Sequence, residues 1–284
     1  MKYFICFPPR WVATGFLSCL FLVAEGRADV TFYDGTFKNS DWMEIPYVNG
    51  NGGSSSAAQQ TNGGNPGSYY EVLTQVNAGP ACGAGVYLRN GFTYTPSTQG
   101  PIYNLDYSVD LIAVSFIGEA EPVVSQNGKI YFGPEIYVTA GVWQTVTESN
   151  LMATNFNQLI TNNPDGELGG DATSHPDFSA TGAQIAFGFI VPDSTMSTAY
   201  TTIGGVDNYL LTVHLEGLLQ IGVTNGLATL SWLATTNDYK LESTPALVPA
   251  AWAPVTNMPA RSGEFYTVTN ILTDSTRFFR LHLN

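Results

Sequence analysis

The sequence is poor in charged residues and almost without cysteine. Lys, Arg, Asp and Glu make up 12% of the 284 residues, and 10 basic against 23 acidic side chains give a net charge of -13. A chain this acidic repels nucleic acid and anionic lipid, so we expect neither as a partner. Of the three cysteines, Cys6 and Cys19 fall in an N-terminal stretch that we expect to be removed. Cys82 then has no partner, and no internal disulfide is expected.

Several catalytic and metal-binding patterns are also missing. No Gly-x-Ser-x-Gly sequence occurs, and His175, His214 and His282 are isolated from one another and from any candidate nucleophile. Histidine and cysteine do not recur at the spacing of a zinc site. A Glu-x-Asp-x-x-Glu run, which is the two-acid signature of concanavalin-like glycosidases, is absent as well. The sequence therefore predicts no catalytic residue.

Glu119 and Glu121 are the acidic pair whose spacing could fit a glycosidase. Two residues apart on a strand, their carboxyls would lie about 6.6 Å apart, near the separation in an inverting glycosidase. Glycine, alanine and proline surround them, which indicates a turn with solvated acids. A polysaccharide hydrolase or lyase is therefore the least favoured alternative.

The N-terminus has the pattern of a secretory signal peptide, residues 1–28. Lys2 and Arg10 precede an apolar run over residues 11–24 that is too short for a convincing membrane span. Small residues at Gly26 and Ala28 predict cleavage after Ala28, which leaves seven basic and 22 acidic residues, a net charge of -15. Acylation of Cys19 as a lipoprotein anchor is an alternative with a poor lipobox. No second apolar run predicts a transmembrane span.

The remaining chain is patterned for β-strands. In residues 204–214 the front half is predicted to be a turn, and the back half alternates so that Tyr209, Leu211 and Val213 share one face. We expect this strand to pair with residues 29–37 and to close one β-sandwich over residues 29–214. A second, smaller β-sandwich is predicted over residues 215–284. The fold class is therefore all-β.

Four shorter segments carry further predictions. The polar run 49–68 is predicted to be a mobile surface loop, and residues 149–160 one or two helical turns. The apolar run 185–191 is predicted to be a strand covered on both faces. Asn127-Gly128 predicts a hairpin turn.

The order of these segments resembles a known family. Residues 29–213 are similar to the concanavalin-like and galactose-binding-like jelly rolls of secreted bacterial proteins, including carbohydrate-binding modules. The matching stretches are 32–37 with Trp42, 143–145, 177–179, 185–189 and 204–208. The tail resembles a small immunoglobulin-like module of Verrucomicrobia-type secreted proteins, through residues 228–232, 239–243, Trp252 and 277–281. Such tails are spacers or anchoring elements, so no chemistry is expected there.

The resemblance implies one structural calcium ion where the first and last strands meet. Asp34 and Asp207 stand at those ends, and with backbone carbonyls they could supply the hard oxygens that Ca²⁺ takes. Asp-Gly and Asp-Asn are also ordinary turn formers, which is the competing explanation. The acidic stretch 162–167 with Asp171 is a weaker second metal candidate.

Aromatic residues beside polar loops predict a glycan-binding platform, because pyranose rings stack on exposed aromatic faces. Alternation places about half of the strand aromatics in a core, and Trp143, Phe187 and Phe189 are interpreted that way. The predicted platform residues are Trp42, Tyr69, Tyr70, Tyr94, Tyr103 and Tyr131. The leading hypothesis is a secreted, non-catalytic protein that binds a polysaccharide or cell-surface glycan. The alternative from another class is a structural or cell-surface protein without a small ligand.

Overall fold

A computed structural model of the chain describes residues 29–139, 141–161, 163, 165–215, 219–224, 227–234, 239–263, 265–271 and 277–283. The chain divides into two compact units, one formed by Asp29–His214 and the other containing Leu215–Asn284. The predicted signal peptide lies outside the described residues. Within the described ranges no helix has the length and apolar character to cross a bilayer.

The first unit is built almost entirely of strands. Short helical turns occur at Asn39–Asp41, Pro96–Gln99 and Ala153–Asn155. The strands are β1 (Val30–Asp34), β2 (Trp42–Gly50), β3 (Gly53–Gly64), β4 (Gly67–Val76), β5 (Ala81–Tyr94), β6 (Ile102–Ser115), β7 (Gly118–Glu119), β8 (Glu121–Gln126), β9 (Lys129–Phe132), β10 (Tyr137–Val138), β11 (Gln144–Leu151), β12 (Asn157–Ile160), β13 (Gly169–Asp171), β14 (Ile185–Thr195) and β15 (Tyr200–Leu215).

These strands form a jelly-roll β-sandwich of two main sheets. The six-stranded sheet has the order β11-β6-β15-β4-β3, with β1 also paired to β15, and the seven-stranded sheet has the order β13-β12-β9-β8-β14-β5-β2. Strands β7 and β10 form a small separate pair. The all-β jelly-roll prediction is confirmed.

Strand β15 pairs with β6 on one side and, on its other side, with two partners in succession. Its first half pairs with β4 and its second half with β1, where Phe32 is opposite Leu211 and Asp34 is opposite Tyr209. The predicted pairing of the opening and closing strands is confirmed. The turn predicted over residues 204–208 is wrong, because those residues continue the strand. Only Asn208, with a φ of 50°, departs from extended backbone where the partner changes.

Aromatic rings fill the space between the two sheets. Trp42 stacks on Phe37 with ring centroids 5.2 Å apart, and its edge meets Phe189 at 5.1 Å and Tyr209 at 5.6 Å. These four side chains are at most 5% exposed. Rings of this size bury a large apolar area, so they provide much of the favourable free energy of folding of this unit.

Three of the shorter sequence predictions can be compared with the strands. Asn127 and Gly128 both have positive φ, 54° and 74°, and form the tight β8–β9 turn, as predicted. The mobile loop predicted at 49–68 is wrong, because most of it is β3, an edge strand paired along β4. The helix predicted at 149–160 is reduced to the 3-10 turn Ala153–Asn155 between two strands.

The seven-stranded sheet is covered on both faces, as the apolar run 185–191 predicted. Phe187 and Phe189 face the aromatic core, while Ile190 belongs to a second apolar cluster on the opposite face. The second cluster consists of Tyr47, Cys82, Ala84, Val86, Leu88, Val123, Leu159 and Ile190. Burial raises the pKa of the Cys82 thiol to about 12, so this cysteine is an unreactive packing residue.

Thr161, Asn163 and residues 165–168, which we call the strap, follow β12 and contact the opposite edge strand of this sheet. The strap reaches β2, where the backbone N–H of Asn163 donates to Oδ1 of Asn49 at 2.9 Å. Nδ2 of Asn49 donates to the carbonyl of Glu167 at 2.9 Å. Leu168 packs against the cluster. The strap therefore ties together the two edges of a curled sheet.

The second unit is a smaller two-sheet sandwich. Its strands are β16 (Gln220–Thr224), β17 (Leu227–Leu233), β18 (Tyr239–Thr244), β19 (Ala253–Pro254), β20 (Ala260–Ser262), β21 (Phe265–Ile271) and β22 (Phe278–Leu283). The sheet orders are β16-β17-β21-β20 and β19-β18-β22. Trp232 and Val268 of one sheet share a buried cluster with Leu241 and Phe279 of the other. An immunoglobulin-like classification of this unit stays a prediction.

His214 links the end of β15 to two carboxylates. Its Nδ1 lies 2.8 Å from Oδ2 of Asp29 and its Nε2 lies 2.9 Å from Oδ2 of Asp106. Burial alone would lower the pKa of this imidazole, but the hydrogen bonds to Asp106 and Asp29 outweigh it, and the pKa is raised above 6.5. Protonated His214 therefore stabilises the folded unit.

We expect His214→Gln to destabilise the protein in a pH-dependent manner. Because the folded pKa is raised, the stabilising contribution is fully present below the unfolded pKa of about 6.5 and is lost as pH rises through the folded value. Denaturant unfolding near pH 6 and pH 9 should show a larger difference between wild type and variant at the lower pH. In an Asp29→Asn/Asp106→Asn background the difference should disappear, and an equal difference at both pH values would contradict this account.

Candidate functional site: an acidic cleft

A cleft of about 470 Å³ opens where the strap ends at the edge of the second apolar cluster. Five carboxyl side chains, two aromatic rings and a few small or apolar groups line it. The lining residues are Ile117, Glu119, Glu121, Phe132, Gly133, Glu135, Glu167, Leu168, Pro192, Asp193, Ser194 and Tyr200. The described residues that line the cleft include no lysine, arginine or histidine. It is therefore strongly acidic.

Strand geometry brings the central acids together. Glu121 begins β8 and lies opposite Ile190 of β14, so its side chain leaves the sheet on the face of the second apolar cluster. Glu119 ends β7, directly before Ala120, and Asp193 lies further along β14. The sheet thus places three carboxyls from two chain segments around one cavity.

Glu119 and Glu121 are buried, at 7% and 4% exposed, so the expectation of solvated acids in a turn is wrong. Burial raises the pKa of Glu119, and the neighbouring charges of Glu121 and Asp193 raise it further. Burial also raises the pKa of Glu121, while a hydrogen bond between the two carboxyls opposes that rise. The two groups therefore retain a shared proton well above the ordinary range of a glutamate.

Asp193 is the third buried acid, at 5% exposed. Burial raises its pKa to about 6, although hydrogen bonds from Thr202 and Tyr200 lower it in part. The Tyr200 hydroxyl lies 2.9 Å from the Ser194 carbonyl and 3.2 Å from Oδ1 of Asp193, so its single proton is shared. Tyr200 is thereby held with its ring at the cleft wall.

Two exposed aromatic rings stand beside the cleft. Phe116 is 71% exposed, and its ring centroid lies 6.0 Å from that of Tyr200. Tyr137 is 54% exposed and pairs directly with Glu119 across the β7–β10 ladder. Side chains directly opposite each other in an antiparallel pair share a face. Ring surface open to solvent therefore adjoins a cleft lined by buried carboxyls.

Four of the six predicted platform residues lie in the interior of the first unit. Trp42, Tyr70, Tyr94 and Tyr131 are all at most 5% exposed. The Tyr94 hydroxyl donates to the carbonyl of Gly100 at 2.8 Å, so even its polar end is satisfied internally. This corrects the expectation of an exposed platform for these four, because a buried ring offers no face to a sugar.

The other two predicted rings lie on the six-stranded sheet, away from the acidic cleft. Tyr69 is half-buried and meets Trp143 edge to face, with ring centroids 5.3 Å apart. Trp143, interpreted from sequence as a core residue, is itself only half-buried and donates to the Gly63 carbonyl at 2.9 Å. Tyr103 is half-buried on β6. The predicted platform residues are therefore not brought together as one surface.

Asp34, the first predicted calcium ligand, is occupied by hydrogen-bond donors. Its Oδ1 accepts from the N–H and hydroxyl of Thr36, both at 2.8 Å, and from the N–H of Phe37 at 3.0 Å. Its Oδ2 accepts from Trp42 Nε1 at 3.1 Å and pairs with Arg89 Nε at 2.6 Å. Burial would raise the pKa of Asp34, but these hydrogen bonds lower it. A cation here would have to displace several donors.

Asp207, the second predicted calcium ligand, is fully buried. Its two oxygens accept from the N–H groups of Asn65 at 2.6 Å and Asn208 at 2.7 Å. Burial raises its pKa, and these backbone bonds oppose the rise. Among the described residues no group of three or more His, Cys, Asp or Glu side chains is placed to hold a metal ion. Calcium at Asp34 and Asp207 stays a prediction.

Comparison with known proteins gives a likeness to solved structures alone. No protein-family model matches the chain, and no curated protein matches its sequence. A family 11 carbohydrate-binding module from Clostridium thermocellum, in complex with a β-1,3-1,4-mixed-linked tetrasaccharide, is 16% identical with a TM-score of 0.40; the match covers 66% of this chain and 97% of that one. The xylan-binding CBM22-1 domain from Paenibacillus barcinonensis is 9% identical with a TM-score of 0.34, over 66% and 94% of the two chains.

An exo-β-agarase structure is 15% identical with a TM-score of 0.37, and the match covers 63% of this chain but 25% of that one. These identities and TM-scores are too low to bear on a ligand. The function proposed below therefore rests on the geometry of the cleft.

Replacement of the acid pair by Glu119→Gln/Glu121→Gln should flatten the dependence of stability on pH. A carboxyl with a raised folded pKa binds its proton more tightly when folded, so stability is lost as pH rises from the unfolded value through the folded one. One such group contributes at most about 1.4 kcal/mol per pH unit. Denaturant unfolding at intervals between about pH 5 and 8 should show a smaller decline for the double variant than for wild type.

Glu148→Gln on β11 of the other sheet is the matched control for the loss of one carboxylate. It should retain the wild-type slope. Equal slopes for wild type and the double variant would contradict the burial of the acid pair.

Proposed function

We propose that this protein binds a glycan, and that the ligand occupies the acidic cleft with a sugar face against Phe116 or Tyr137. The observation that carries the proposal is a concave site lined by buried carboxyls, with the exposed ring of Phe116 packed against Tyr200 of its wall. The cleft volume of about 470 Å³ is in the usual range of small-molecule sites, about 300–1,000 Å³.

The chemistry of a sugar fits both parts of the site. Its hydroxyls donate to carboxylate oxygens and accept from protonated carboxyls, and both forms coexist in a pair that shares a proton. Its C–H faces are apolar and stack on aromatic rings. Glu119, Glu121 and Asp193 supply the polar contacts, and Phe116 supplies an exposed ring beside them.

The backbone conformation at Phe116 supports a role for this ring in ligand binding and not in stabilising the fold. Its φ is 62°, in the left-handed region that is unfavourable for a bulky residue. Its side chain is largely exposed, so burial of the ring does not offset that cost. Backbone strain of this kind is concentrated at ligand-binding sites.

The acid pair does not have the spacing of a glycosidase. The carboxyls of Glu119 and Glu121 are hydrogen-bonded to each other, so they lie side by side. Retaining enzymes separate their two carboxyls by about 5 Å and inverting enzymes by more, since a sugar carbon or a water must fit between them. We therefore propose binding without catalysis at this pair.

Phe116→Ala should weaken glycan binding by about tenfold, or about 1.4 kcal/mol, because it removes a stacking surface. Stability should not fall, since the ring is exposed and alanine is no worse than phenylalanine at this φ. Isothermal titration calorimetry against a panel of soluble oligosaccharides, with thermal unfolding alongside, measures both.

Tyr69→Ala, which removes the half-buried ring on the six-stranded sheet, is the matched aromatic control and should bind as wild type does. Loss of affinity in Tyr69→Ala but not in Phe116→Ala would place the ligand on the other sheet. If no oligosaccharide binds to the wild-type protein, the chain is better explained as a structural or cell-surface protein.

The proposal includes export of the protein from the cytoplasm. It is supported by the charged and apolar N-terminal residues 1–28 with small residues at Gly26 and Ala28. Expression with the native N-terminus in a bacterial host, followed by N-terminal sequencing of the exported protein, should give a chain that begins at Asp29. Protein that stays in the cytoplasm with Met1 intact would contradict export.

A further inference from the structure

The cleft has a carboxyl excess that its own side chains do not balance. Glu135 and Glu167 lie exposed at its rim, and Glu119, Glu121 and Asp193 lie buried within it. Elsewhere in the same unit a buried carboxylate is matched by a cation, since Asp34 pairs with Arg89. Buried charges are ordinarily paired, so the cleft has the electrostatics of a site that receives its positive charge from a ligand.

One oxygen in the cleft is left without a donor. Oε2 of Glu121 is buried and has no hydrogen-bond partner among the described residues, although this side chain lines the cavity. A buried acceptor without a partner is destabilising, and more so if it is charged. A ligand that brings an N–H or O–H donor to this atom recovers that free energy.

We propose that the cleft binds a glycan through a protonated amine, that is, an amino sugar with a free ammonium group which donates to Glu121. The ammonium takes the place of the proton that Glu119 and Glu121 share. It provides three donors and one positive charge, so both carboxyls can ionise around it. The displaced proton leaves to solvent, and binding is coupled to its release.

This inference rests on the proposed function, because the exposed ring of Phe116 is what favours a sugar over a simple alkyl amine. It also predicts that anionic sugars are excluded from the cleft. Uronic acids and sulfated sugars carry negative charge into a cleft with five carboxyls and, among its described lining residues, no cation, so they should bind least.

The experiment compares four trisaccharides by calorimetry at about pH 6, where an amino sugar is protonated. They are a β-1,4-glucosamine trimer, its N-acetylated counterpart, cellotriose and a galacturonic acid trimer, all in buffer with a chelator. We expect the glucosamine trimer to bind at least tenfold more tightly than the N-acetylated trimer, and the galacturonic acid trimer not to bind.

Glu121→Gln is the diagnostic variant. It should remove the preference for the amine, so that the glucosamine trimer and its N-acetylated counterpart bind with similar affinity, because glutamine has the same size as glutamate but no negative charge for an ammonium group. Glu148→Gln, with the same charge change on β11, should keep the preference. Titration of the wild type in two buffers of different ionisation enthalpy should show proton release with the glucosamine trimer but not with cellotriose.

Each contrary result has a distinct meaning. Equal binding of the glucosamine and N-acetylated trimers, lost in Phe116→Ala, would overturn the amine inference and keep the glycan site. An amine preference that persists in Glu121→Gln, or that Glu148→Gln reduces equally, would show general attraction to an acidic protein and overturn it. Equally tight binding of butylamine would replace the glycan by a simple amine. No binding of any trimer would overturn the proposed function as well.

Discussion

The burial of the seven-stranded sheet on both of its faces is the constraint on which the rest of the first unit depends. One face packs on the aromatic core around Trp42 and Phe189, and the other carries the apolar cluster that includes Cys82 and Ile190. A sheet that is apolar on both sides requires a cover on the second side. Leu168 of the strap packs against this second face, and the strap is hydrogen-bonded to Asn49 at the far edge. The acidic cleft lies where this cover ends.

Buried carboxyl groups have opposite ionisation properties at two places in this unit. Asp34 is buried with five donors, one of which is the guanidinium of Arg89, and its pKa is lowered, so it is a stable carboxylate. Glu119 is buried beside other acids, and its pKa is raised, so it retains a proton. Burial is common to both, and the presence or absence of donors decides the ionisation state. The first arrangement stabilises a corner of the fold, and the second favours a ligand that supplies charge.

Local sequence patterns predicted the fold where side chains report directly on burial or on backbone conformation. Alternation in residues 209–213 correctly predicts the closing strand. Asn127-Gly128 correctly predicts a hairpin turn, because both positions of that turn need a positive φ. The edge strand Gly53–Gly64 was missed for a physical reason. It is held by backbone hydrogen bonds to β4 while most of its polar side chains stay at the surface, so it has no apolar pattern.

The candidate site was less accessible to sequence reasoning because it depends on which segments meet in space. Glu119 and Glu121 stand close together in the sequence, but the glycine and proline beside them indicate an exposed turn, and no local pattern indicates the strap or the approach of Asp193. Strand alternation alone excludes part of the predicted aromatic platform. Tyr69 and Tyr70 are adjacent on a strand and must face opposite sides, so both could not belong to one exposed platform. Phe116 had no sequence signal, since its exposure depends on its left-handed backbone and its neighbours.

The central claim is that the acidic cleft, and not an exposed face of either sheet, is where this protein meets its ligand. Hydrogen–deuterium exchange of the protein with and without a saturating glucosamine trimer tests it most directly. The account predicts slower exchange confined to Phe116–Glu121, to the β9–β10 connection and to the segment around Asp193 and Tyr200. Protection centred on Tyr69 and Trp143, or no change at the cleft while the oligosaccharide is bound, would contradict it.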